Sequence, residues 1–82
     1  MKKNIIQDKS FNFSLKIIKL YKLLQAEKEF VLSNQLSRSA TSIGANIEEA
    51  IGGISKRDFI AKLSISLKEA RETEFWLLLL FL

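Results

Sequence analysis

The sequence predicts an all-α protein, an antiparallel up-down helical bundle, on three observations. Its 82 residues include no proline and only three glycines, Gly44, Gly52 and Gly53. Both residue types are costly inside helices, so their scarcity leaves long stretches free to be helical. Apolar residues recur every three or four positions in three stretches, which puts them on one side of a helix. The segments between those stretches are short, and short connections make neighbouring helices antiparallel. A chain of this length suits one domain, here residues 1–82.

The first helix is expected at about residues 10–28. Phe13, Ile17, Leu20 and Leu24 follow i, i+4, i+7, i+11, with Phe11, Leu15, Ile18 and Tyr21 widening the stripe. A turn is expected near Glu29–Leu32. The second helix is expected at about residues 33–51, with Ser33 as its N-cap. Gly52-Gly53 should end it, because glycine adopts positive φ at little cost. The third is expected at about residues 55–82. Ser55 and Asp58 form a capping-box-like pair at its start. Phe59, Leu63, Leu67, Ala70, Leu77 and Phe81 mark one face of it, edged by Ile60 and Leu78.

Composition narrows the chemistry. There is no cysteine and no histidine. Disulfides and thiolate metal sites are therefore excluded, and the commonest general base and metal ligand is missing. No Gly-rich phosphate loop or paired-carboxylate spacing stands out. The expectation is no enzyme, no catalytic residues, no metal and no cofactor. No apolar run approaches the ~20 residues that span a bilayer. No signal peptide precedes the first helix. These absences set the cytoplasm as the expected location, with no membrane partner.

Charge is uneven. Residues 1–22 hold six lysines against Asp8 alone, a local excess of +5, whereas the other sixty residues hold seven basic and eight acidic groups. A local cationic surplus attracts polyanions by long-range, salt-sensitive forces. Lys9, Lys16, Lys19 and Lys22 are the candidate nucleic-acid contacts. The bland alternative is a solvated lysine-rich helix face.

The stretch QLSRSATSIGANIEEA, residues 35–50, pairs an apolar stripe with a stripe of small polar groups. Gln35, Ser39, Ser42, Asn46 and Glu49 follow spacing 4, 3, 4, 3, with Arg38 alongside. Ser66, Glu69, Thr73 and Trp76 form a similar row in the third helix. Antiparallel packing sets the two rows face to face, so that Arg38 and Asn46 reach Glu69 or Glu72. Small residues, Gly44 among them, let the helices approach closely.

These residues also carry a family resemblance. QLSRSATSIGANIEEA, followed by FIAKLSISLKEARETEFWL, closely resembles the four helix bundle proteins encoded in intervening sequences of bacterial 23S ribosomal RNA genes. SFNFSLKIIKLYKLL resembles that family's first helix, so the match spans roughly Lys9 to Leu82. The resemblance implies a ring-like homo-oligomer, typically a pentamer. It places Gln35, Arg38, Ser39, Ser42, Asn46, Glu49, Glu69, Glu72 and Trp76 in a polar network or interface without catalytic duty. A related accessory protein of diversity-generating retroelements binds nucleic acid and a reverse transcriptase. Family members continue into a fourth helix. Relative to them, this chain is expected to be C-terminally truncated, with three helices of the four present. That leaves FWLLLLFL, residues 75–82, apolar all round and uncovered. The expected function is a nucleic-acid-associated accessory or scaffold, binding RNA or DNA through the first helix. The alternative is a protein–protein scaffold with no nucleic-acid role.

Overall fold

The structure, a computed structural model, describes residues 4–82. Lys2 and Lys3, counted in the basic excess, lie outside the described residues. Three helices follow one another: α1 (Ile5–Ala26), α2 (Phe30–Ile51) and α3 (Lys56–Phe81). No strand occurs among the described residues, and none of the helices is long and apolar enough to cross a membrane.

Helix α1 begins five residues before the expected Ser10. The Asn4 side chain accepts from the Gln7 N–H at 3.0 Å and caps the first turn. Ser10 is instead buried within the helix, where its hydroxyl donates to the Gln7 carbonyl at 3.0 Å. The helix ends earlier than expected, in a Schellman motif. Glu29 N–H bonds the Leu24 carbonyl and Lys28 N–H bonds the Gln25 carbonyl. Lys28 takes the left-handed conformation this requires, at φ 61°. Glycine usually fills that position; with lysine there, the break falls a few residues ahead of the turn expected near Glu29–Leu32.

Ser33 is not the cap of α2. It lies inside the helix, wholly buried, donating to the Phe30 carbonyl at 3.0 Å and accepting from the Gln25 amide at 2.8 Å. Helix α2 ends at Gly52 with φ −81°, and none of the described glycines has positive φ. The two glycines therefore stop the helix without the left-handed turn expected there. At α3, the Ser55 side chain accepts from the Asp58 N–H at 3.1 Å.

Helix α2 is central. It packs against both α1 and α3, while no Cα of α1 lies within 8 Å of a Cα of α3. Gln7 near the start of α1 bonds Glu48 near the end of α2. Gln25 bonds Ser33 at the other end. Lys62, early in α3, pairs with Glu49, and Arg38, early in α2, pairs with Glu72.

The core is small: Ile17, Leu36 and Ala40 are buried, with Phe13, Leu20, Leu24, Trp76, Leu77 and Leu80 packed on them. Phe11, Leu15 and Ile18 do not join it and remain exposed. The expected apolar face of α3 is not a closed core either. Leu63, Leu67 and Ala70 line an open trough of about 380 Å³ between α1 and α3, floored by Ile43 and Ile47 of α2. Of the last eight residues, Trp76, Leu77 and Leu80 pack inward. Phe75, Leu78, Leu79, Phe81 and Leu82 stay at least half exposed.

Candidate functional site

The α2–α3 seam is built from small polar residues. Its buried α3 positions are Ser66 and Thr73. The Ser66 hydroxyl donates to the Ile43 carbonyl across the seam at 3.0 Å. The Thr73 hydroxyl lies 2.9 Å from Ser39 Oγ and 2.8 Å from the Glu69 carbonyl. Ser39, wholly buried, lies 3.3 Å from the Leu36 carbonyl that its hydroxyl serves. Every hydroxyl here has a partner, as burial demands. Side chains this short draw the two helices together.

At the edge of the seam the guanidinium of Arg38 gathers three groups. It donates to Gln35 Oε1 at 3.2 Å, pairs with the Glu72 carboxylate, and stands 3.5 Å from Glu69 Oε2. Glu72 also accepts from the Trp76 indole N–H at 2.9 Å. Gln35, Arg38, Glu69, Glu72 and Trp76 thus form one cluster. Asn46 does not join it. Its amide turns back on its own helix, donating to the Ser42 carbonyl and hydroxyl at 2.8 and 3.0 Å. Glu49 is separate too, paired with Lys62 at 3.4 Å on the surface.

Glu69 lies deeper than Glu72. Its side chain is only 14% exposed, and the buried Oε2 accepts no hydrogen bond. Among the described residues no buried donor depends on it. Removing its charge should therefore be neutral or slightly stabilising, whereas removing Glu72 strips Arg38 and the Trp76 indole of an acceptor. We expect Glu69→Gln to leave the urea midpoint unchanged or raised. Glu72→Ala should cost about 1–2 kcal/mol. Equal losses in the two variants would contradict this division of roles.

Gly44 serves the opposite seam. A Cβ there would lie 3.1 Å from Ser14 Oγ and 3.6 Å from the Ser10 carbonyl, so it is α1 that makes a close approach. Ala45, next to it, is exposed.

Lys9, Lys16, Lys19 and Lys22 are all exposed on α1. None makes an ion pair among the described residues. At about 100° and 1.5 Å per residue, Lys9, Lys16 and Lys19 fall within about 80° of one another along some 15 Å of helix. Lys22 lies about 60° further round. Lys9 also borders the apolar trough. Among the described residues no cluster of three or more Asp or Glu is placed to hold a metal ion.

Fold and site together define a class: a small all-helical protein whose buried polar groups join helix to helix. The chain belongs to the 23S rRNA-intervening sequence protein family, which it matches over residues 2–82. It is similar to a crystallised protein of unknown function from the S23 ribosomal protein family of Bacteroides thetaiotaomicron VPI-5482. The two share 57% identity with a TM-score of 0.88, over 93% of this chain and 71% of the other. No curated protein matches the chain. Neither the family's description nor that of the Bacteroides protein names a reaction.

Proposed function

We propose that this chain is a nonenzymatic, self-associating helical-bundle protein of the cytoplasm. In this reading it binds nucleic acid through α1 as an accessory or scaffold. The observation that carries the reading is the row of α1 lysines, exposed and without acidic partners among the described residues. Such ammonium groups neutralise phosphates and release counterions. No element offers arginines arranged to read base edges, so discrimination between sequences should be small.

The bundle is read as antiparallel and up-down. Contacts between the start of each helix and the end of the next support this. A fourth helix in the trough completes the bundle. The apolar lining of the trough and the greater length of the Bacteroides chain favour that. Assembly into a ring, a pentamer by resemblance to the family, fits the many exposed apolar side chains. Those same side chains favour the second reading, a protein–protein scaffold with no nucleic-acid role.

Fluorescence anisotropy with a labelled RNA oligonucleotide separates the two. The wild-type chain should bind at low salt, with little dependence on sequence. The triple variant Lys16→Glu, Lys19→Glu, Lys22→Glu should lose that binding while keeping its helical circular dichroism. Unchanged affinity in the variant removes the nucleic-acid reading and leaves the scaffold.

A further inference from the structure

We infer that copies of this chain associate head to tail, the outer face of α3 around Phe75 in one copy seating in a hollow between α1 and α2 of the next. The inference rests on the self-association proposed above and assigns its two surfaces.

The hollow lies beside Gly44, where α1 makes its close approach to α2. Ser14, Gly44 and Ala45 give it a floor of small side chains, Phe11 and Ile18 give it apolar walls, and its volume is about 280 Å³. Phe11 is 62% exposed, so the walls are open to a partner. The matching projection is Phe75, 53% exposed and braced edge-on against Trp76 at 5.1 Å between ring centroids. An aromatic ring held in place loses little freedom when it is buried.

Neither the walls of the hollow nor Phe75 border the trough. On a helix of 3.6 residues per turn, Phe75 stands about 80° round from Leu67 and Leu79 about 160° round from Leu63. A further helix laid in the trough covers Leu63 and Leu67 and leaves Phe75 and Leu79 bare. The walls Phe11 and Ile18 stay bare as well. Two apolar surfaces therefore remain, one concave and one convex.

Charge agrees with pairing them. Glu48 borders the hollow, and among the described residues its carboxylate is held only by the uncharged amide of Gln7. Arg71 sits one turn before Phe75 and makes no ion pair among the described residues. Head-to-tail packing sets Arg71 beside Glu48 of the next copy. A two-fold contact of α3 on α3 would leave the hollow and Glu48 unmatched. Because the two surfaces differ, the contact is heterologous, and repeating it closes a ring or runs on as a filament.

The chain has no cysteine, so single introduced thiols report cleanly. Glu48→Cys and Arg71→Cys chains, mixed and treated with a short bis-maleimide, should give a cross-linked dimer that neither variant gives alone. Phe75→Lys should reduce the sedimenting mass to the 9.4 kDa monomer with helicity retained. Cross-linking of Arg71→Cys with itself would overturn the head-to-tail contact. So would a wild-type assembly that keeps its mass in Phe75→Lys and gives no dimer in the mixture; self-association would then stand and only its surfaces would be wrong. A monomeric wild-type chain would overturn both.

Discussion

At micromolar concentration the protein should sediment as an assembly rather than as a 9.4 kDa monomer. The expectation comes from surface the fold leaves uncovered. Phe75, Leu78, Leu79, Phe81 and Leu82 are all at least half exposed, and Phe81 is 72% exposed. Burying what remains of each is favourable by about 1 kcal/mol or more, since a full burial gives roughly 1.5–3 kcal/mol. These five side chains together represent about 5–8 kcal/mol, comparable to the whole stability of a small domain. Phe11, Leu15, Ile18 and Leu67 add further exposed apolar area. Association recovers this surface by mass action. Sedimentation velocity at several concentrations checks it. A single well-folded species at the monomer mass would mean that the apolar end is tolerated in water.

Leu36→Ala should be the most damaging single truncation, lowering stability by about 2–5 kcal/mol. Leu36 is wholly buried between Ile17 and Ala40, at the point where α1, α2 and the end of α3 meet. Its neighbours, Ile17, Leu20, Trp76 and Leu77 among them, are already packed on one another and can close the space only in part, so the cavity term should persist. Leu67→Ala, at the open trough, should cost less than about 1 kcal/mol, because much of that side chain already meets water. Trp76 packs on the Leu36 cluster, so its fluorescence follows urea unfolding of both variants at one fixed protein concentration. Similar losses in the two would mean that the trough is closed in solution.

The helical class was legible because it rests on periodicity and on the scarcity of breakers. The register of the α2–α3 seam was legible too, since Ser39, Ser66 and Thr73 sit at helical spacing where long charged side chains are usual. The boundaries were less so. Asn4 and Ser10 are both capable N-caps, and sequence alone does not say which carbonyls and N–H groups are free. Lys28 adopts a conformation normally marked by glycine, so the first break was placed too late. A deeper limit concerns which stripe is covered. Leu63, Leu67 and Phe81 read as a core face, but the side of α3 that meets α2 is the small polar one. Hydrophobic pattern shows what needs cover, not what provides it. Asn46 was misplaced for a local reason: its amide finds Ser42 one turn back before it can reach across the seam.

The central claim is that exposed lysines on α1 make this a polyanion-binding bundle. Its most direct test is the salt dependence of RNA affinity. Single-stranded binding loses counterions with a slope of about −0.7 per phosphate neutralised. Lys9, Lys16, Lys19 and Lys22 together therefore predict a slope of log K against log salt near −3 per bound copy, with little change between RNA sequences. A slope near zero, or no binding at low salt, would contradict the account.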